Sequence, residues 1–386
     1  MIIRWFLFKT VRQATAMRKH VWRLLCAQRD LLSTQAIEAL TATIGDLQKA
    51  LTAKTGKDAL RKQMENVEKA ANKWLKPYPH PAWRENVEVL LVALAVAMGI
   101  RTFFLQPFKI PTGSMQPTLY GVTSTNLINQ PDYKIPSGLA RASEWFQGAS
   151  YVNVVAKNDG NLEMVEPPVR LLIFNIRQRL LLGGRWHTIW FPPDYGSLTL
   201  EGRAGLHPGQ SFRAGQDVVR LRVNCGDHLF VDRLSYNFRR PERGEIIVFE
   251  TKGINHPNVP QDQFYIKRLV ALGDEHVRIG HDQHLIINGN RLDASTPGFE
   301  NVYAGDDYFR RPAPGENEYF GHTQVEKFSN ESQEYVLRPN HLMVMGDNTR
   351  SSLDSRFFGD FSREYVIGKS WFVYWPITKR FGWGYR

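Results

Sequence analysis

Three segments of this 386-residue chain combine residue types and spacings that could do chemistry. The first runs from Pro107 to Thr118 (PFKIPTGSMQPT) and sets a small-residue turn between prolines. Such a turn can expose the Ser114 hydroxyl while its backbone N–H and a neighbouring hydroxyl point at one spot, as an oxyanion hole requires. Taken alone, Thr-Gly-Ser reads as a plain loop. The second segment, Tyr265 to Ala271 (YIKRLVA), reads as a strand. Alternation puts Tyr265, Lys267, Leu269 and Ala271 on one face, so Lys267 stands among apolar neighbours. Burial disfavours the ammonium form, and a neutral lysine is a general base near neutral pH. A lysine snorkelling from a strand edge gives the same pattern. The third segment, Gly346 to Gly359 (GDNTRSSLDSRFFG), is dense in polar groups that could orient a base. As a surface hairpin it would hold only an exposed Asp354–Arg356 ion pair of little worth.

These segments need elements to position them. Val89–Ile100 is an uninterrupted apolar run, and Val87–Leu105 gives 19 residues, about 28 Å of helix, matching a hydrocarbon core of about 30 Å. Glu88 and Arg101 fall near its ends, and Trp83, Phe103, Phe104 and Phe108 flank it as interfacial aromatics do. A membrane span over residues 86–106 is therefore expected, with Ser114 only a few residues beyond it. The roughly 85 residues before it exclude a cleaved signal peptide. Residues 10–75 read as a helical hairpin broken at Gly45 and Gly56, and Pro77, Pro79 and Pro81 as a stiff hinge. Beyond the span, short β-rich runs recur between turn residues, among them Val152–Val155, Leu171–Phe174, Val218–Val223, His228–Val231, Glu245–Glu250, Gln263–Leu272, His341–Met345 and Lys369–Tyr374. The expected fold class is mainly β: an all-β domain over 107–386, with β-rich insertions at about 121–224 and 281–340, preceded by one transmembrane helix and a helical segment over 1–85.

Charge gives the orientation. The net charge is +11, and residues 1–85 hold 16 Lys and Arg against 7 Asp and Glu, so nearly all the excess precedes the span. A nucleic-acid enzyme would carry its charge on its main folded part, so no nucleic-acid partner is expected. A basic flank before an apolar run puts residues 1–85 in the cytoplasm and the β domain outside. Cys26 and Cys225 would then lie on opposite sides and not pair.

In this order, after one span, the blocks PFKIPTGSMQPTL (107–119), GDHLFVDRLSYNFRRPERGEIIVF (226–249), YIKRLVALGD (265–274) and GDNTRSSLDSRFFG (346–359), with IGKSWFVYWP (367–376), resemble the type I signal peptidase family of bacteria. The resemblance implies a signal-peptidase-type β fold, a Ser114 nucleophile and a Lys267 general base, with the Ser114 N–H and the Thr112 hydroxyl as the oxyanion hole. It implies that Ser352 orients Lys267 and that Asp347, Asp354, Arg356 and Arg268 brace the site. Phe108 to Thr112 (Phe108, Ile110 and Pro111 among them) and Phe264 to Lys267 (with Tyr265 and Ile266) would be the edges that hold substrate as an added strand. It further implies cleavage after small residues, no cofactor and no metal, preproteins emerging from the secretion machinery as substrates, and a bacterial cytoplasmic-membrane location. Departures are Leu272-Gly273-Asp274, where the family has a proline before the glycine, Thr349 where arginine is common, and the two insertions. A Ser-His-Asp hydrolase using His276 or His341, a self-cleaving Ser/Lys repressor-type protease and a non-enzymatic binding domain are the rivals; no GxSxG elbow is present.

Overall fold

The computed structural model describes residues 8–53, 55–77, 81–172, 174–304 and 319–383. The chain divides into two compact units, residues 1–94 and 95–386. In the first, Lys9–Ala27 (α1), Thr34–Thr52 (α2) and Lys57–Trp74 (α3) pack on one apolar core. On α2 the buried residues Ala36, Leu40, Ile44, Leu47 and Leu51 recur at intervals of three and four, the spacing of one helix face. Three helices replace the expected hairpin. Gly45 lies inside α2 without breaking it, and the break falls where Ser33 caps α2 by accepting from the Ala36 N–H. Gly56 does precede α3.

The apolar helix Pro81–Phe103 (α4) is exposed almost throughout. It starts earlier than expected, because Pro81 belongs to the helix and not to a hinge; proline suits a first helical turn, where the missing N–H is not needed. Residues 78–80 of the expected hinge lie outside the described residues. The helix ends at Phe103 and not near 106, because Pro107 pushes the residue before it into extended backbone.

The second unit is mainly β. In chain order its strands are Leu105–Lys109 (β1), Thr123–Asn126 (β2), Ala149–Val155 (β3), Gly160–Val165 (β4), Val169–Leu171 (β5), Phe174–Leu182 (β6), Arg185–Trp190 (β7), Ser211–Phe212 (β8), Asp217–Asn224 (β9), His228–Asp232 (β10), Ile246–Glu250 (β11), Phe264–Leu272 (β12), His276–Ile279 (β13), Leu285–Ile287 (β14), Asn290–Arg291 (β15), Tyr335–Val336 (β16), His341–Met345 (β17), Phe361–Ser362 (β18) and Val366–Trp375 (β19). The main sheet runs β1-β10-β19-β11-β12-β17-β18, with antiparallel pairs throughout. Among the described residues β1 pairs only with β10 and forms the edge of this sheet. β12 lies between β11 and β17, but β17 pairs it only from Arg268 onward, so among the described residues Phe264–Lys267 keeps one unpaired edge.

The 121–224 region builds its own sheets, β2-β9-β3 and β5-β6-β4-β8 with β7 on β6, over a core that includes Val152, Leu162, Leu180, Val219 and Leu221. Of the run over 171–174 expected as one strand, Leu171 instead ends β5 and Phe174 opens β6, the two paired with each other. The 281–340 region contributes most of a further four-stranded sheet, β15-β14-β13-β16, and its residues 305–318 lie outside the described residues.

Candidate active site

Ser114 and Lys267 meet. The lysine Nζ lies 2.5 Å from the serine Oγ, and both side chains are buried. β12 delivers Lys267 from a central strand buried on both faces between Lys267 and Ala271, and its Nζ sits 5.8 Å from the Tyr265 ring centre on the same strand face. Burial is the largest influence on this amine and pushes it down from 10.5 to about 8; the Asp354 charge opposes the drop, Arg356 adds to it, and Asp347 opposes it again.

The serine turn is held from the third segment. The Asn348 N–H donates to the Ser114 carbonyl at 3.0 Å, and Asn348 Nδ2 donates to the Gly113 carbonyl at 3.1 Å. Both carbonyls are thus tied back, and among the described residues the Ser114 N–H donates to no group. Gly346 makes this closeness possible. A Cβ there would stand 2.5 Å from the Ser114 carbonyl oxygen and 2.3 Å from Ser352 Oγ, so only glycine fits between them. Thr112 is exposed two residues before Ser114, with its backbone pressed on Gly121, where a Cβ would come within 2.1 Å of the Thr112 carbonyl oxygen.

Two buried ion pairs brace the turn and the loop. Arg268 Nε donates to Asp347 Oδ1 at 2.8 Å and its Nη2 to Oδ2 at 2.5 Å, while Thr118 Oγ1 donates to the same Oδ2 at 2.5 Å. The fork joins β12 to the Ser114 turn and to the strand end after β17. Arg356 makes the second fork, donating to Asp354 at 2.8 and 2.9 Å and also to Thr323 and Thr349. Burial alone would raise the Asp354 carboxyl; the Arg356 guanidinium and the Gly346 N–H together hold it below its usual value. The ion pair is therefore internal, not the exposed one a surface hairpin would carry. Ser352 is brought beside Gly346 and Asp354, yet among the described residues its Oγ makes no hydrogen bond, to Lys267 or to any other group.

The two expected substrate edges face each other. Phe108 on β1 and Phe264 on β12 are in edge-to-face contact at 5.6 Å, and Phe108 and Ile266 pack on the same core of Ile110, Met115, Leu119 and Val248. Ile110 is buried in that floor and Pro111 is exposed. Tyr265 packs on the opposite side, toward Ile247 and Phe249. The histidine rivals are engaged elsewhere: His276 with Glu334 and His341 with the Pro339 carbonyl. Reading the sequence misses Thr118, Gly346 and Asn348 as parts of the site, because their contacts span more than 200 residues of chain; their only signal is membership of the same blocks as Ser114 and Asp347.

The sequence profile of the family described as signal peptidase, peptidase S26, matches residues 83–143 and 219–375, more than half of the chain. The chain belongs to this family. Among curated family members, it is 32% identical to a probable signal peptidase I-2 of Synechocystis over 160 residues, which are 41% of this chain and 59% of that protein. It is 30% identical to a signal peptidase I of Leptolyngbya laminosa over 41% of this chain and 64% of that one. The chain thus spans about 60% of the length of these relatives. A crystal structure of a signal peptidase I from Enterococcus faecalis is 27% identical, matched over 34% of this chain and 97% of that one with a TM-score of 0.24, too low to compare the folds.

Proposed function

We infer that this S26-family chain is a membrane-anchored serine endopeptidase that removes N-terminal signal peptides from secreted proteins, cutting after small residues. The observation that carries this reading is the 2.5 Å approach of Ser114 Oγ and Lys267 Nζ, with the amine pushed down to about 8. At pH 7 about a tenth of such a lysine is neutral, some 300-fold more than for one at 10.5. Neutral Lys267 takes the Ser114 proton as Oγ attacks the scissile carbonyl. The Ser114 N–H and the Thr112 hydroxyl stabilise the oxyanion, and the Lys267 ammonium protonates the departing amine. Lys267 then takes a proton from the water that attacks the ester carbonyl and returns it to Ser114 Oγ as the ester bond breaks, which frees Ser114 and the carboxylate product. Substrate lies between β1 and the unpaired edge of Phe264–Lys267, bound as an added strand.

The exposed apolar helix α4 and the basic residues before it support one span of a bacterial cytoplasmic membrane over about 86–106, with residues 1–85 in the cytoplasm and the catalytic domain, 107–386, outside. Its partners are then membrane lipid and preproteins leaving the secretion machinery. The test is cleavage of a preprotein by the purified full chain in detergent. Cleavage after a small residue is expected, lost in both Ser114→Ala and Lys267→Ala. Processing that survives both substitutions overturns the reading in favour of a binding domain.

A further inference from the structure

The family match leaves out residues 144–218, and that stretch carries an apolar surface that the proposed proteolysis does not use. β5 ends, β6 begins and β7 ends at the same edge of one hairpin sheet: Leu171 pairs with Phe174, Arg177 pairs with Trp190, and the Phe191 N–H donates to the Ile176 carbonyl. Leu171, Leu172, Phe174, Trp190 and Phe191 are 63–90% exposed there. Five large apolar side chains in one place exceed the scattered exposure normal for a soluble surface.

Two further observations separate this tip from an accident of packing. Leu172 and Phe191 have φ of 55° and 49°, a left-handed backbone that bulky residues rarely adopt, so local preference does not explain the turns. Between residues 169 and 191 there are four arginines and no aspartate or glutamate, and Arg170 is fixed at the tip by donating to Asn175 Oδ1 at 3.0 Å. Tryptophan, phenylalanine and leucine beside arginine is the composition of a lipid interface, with the basic groups meeting anionic headgroups.

The tip is also tied to the first strand after the apolar helix. Asp194, three residues past Phe191, forms an ion pair with Lys109 on β1 at 2.6 Å, and Asn175 Nδ2 donates to the Pro192 carbonyl. Lys109 is six residues beyond Phe103, so chain length keeps it within about 20 Å of the helix end, and Phe191 is within about 10 Å of Asp194 along the chain.

We propose that this tip is a second membrane anchor, inserting Leu172, Phe174, Trp190 and Phe191 into an anionic bilayer surface and fixing the catalytic cleft relative to the lipid. It rests on the membrane anchoring proposed above. The experiment reconstitutes the full chain, with Cys26→Ser and Cys225→Ser, into vesicles of phosphatidylcholine with 30% phosphatidylglycerol, carrying an environment-sensitive label on Leu172→Cys or, as a control at the other end of the β6–β7 hairpin, on Arg185→Cys. Lipids bearing a quencher at shallow acyl depth should quench the label at 172 at least three-fold more than that at 185. Phe191→Asp combined with Trp190→Asp should raise KM for a vesicle-embedded preprotein about ten-fold and leave cleavage of a short soluble peptide within two-fold. A chain that does not float with the vesicles overturns both readings. A chain that floats, with equal quenching at 172 and 185, overturns this one alone. A label at 172 that responds to protein density and not to quencher lipid makes the tip a contact between copies, and the lipid proposal falls.

Discussion

Replacing Lys267 with methionine should stabilise the protein while destroying its activity. The chain places this amine where burial lowers it from 10.5 to about 8. The unfolded state therefore binds more protons than the folded state between those values, and the folded state carries a penalty that is complete below about pH 8. The drop corresponds to about 3 kcal/mol. Methionine has similar length, no charge and no such penalty. It gives up the hydrogen bond to Ser114 Oγ, worth about 1 kcal/mol. The net expectation at pH 7 is a gain of about 2 kcal/mol, or several degrees in Tm for a unit of this size. The gain should be flat below pH 8, shrink between pH 8 and 10.5 as the wild type releases its proton, and vanish or reverse above that. Thermal unfolding of full chains in detergent micelles from pH 6 to 11 measures this. A variant less stable than wild type at pH 7, or a difference that ignores pH, refutes the reasoning that lysine desolvation dominates.

Other substitutions probe the rest of the site. Thr112→Val should lower kcat about 10²–10³-fold with KM nearly unchanged, measured on a preprotein in steady state, because in the proposed mechanism it removes one oxyanion donor and nothing buried. Gly346→Ala should cost 1–3 kcal/mol in thermal unfolding and sharply reduce kcat, since its Cβ must displace Ser352 or the Ser114 carbonyl. Asp354→Ala leaves the Arg356 guanidinium buried without its carboxylate and should cost 3–5 kcal/mol in denaturant unfolding, with Asp354→Leu/Arg356→Met recovering much of that loss. Asn348→Ala, which removes the side-chain donor to the Gly113 carbonyl and keeps the backbone N–H bonded to the Ser114 carbonyl, should depress kcat several-fold while leaving KM within two-fold in the same steady-state assay.

Periodicity and motif order made much of this molecule legible. The apolar run became an exposed helix, and the runs His228–Val231, Glu245–Glu250, Gln263–Leu272 and His341–Met345 became strands of the sheet that carries Lys267. The failures have local causes. The run over 171–174 is as apolar as a buried strand, and composition alone does not distinguish that from two strand ends whose Leu171, Leu172 and Phe174 are exposed. Gly45 weakens a helix by only about 1 kcal/mol, which the packed face of α2 outweighs. Burial of the Asp354–Arg356 pair, the Asn348 clamp on the serine turn and the need for glycine at 346 are long-range facts: they exist only once residues 235 positions apart in sequence are adjacent.

The claim beneath all of this is that Lys267 is uncharged often enough, next to Ser114, to take its proton. Titrating the Lys267 Nζ and Cε resonances in isotopically labelled full chain, assigned by comparison with Lys267→Met, measures it directly. A midpoint near 8 is the expected result. A midpoint at 10 or above would contradict the account, because an amine that stays charged in the folded protein does not serve as the base.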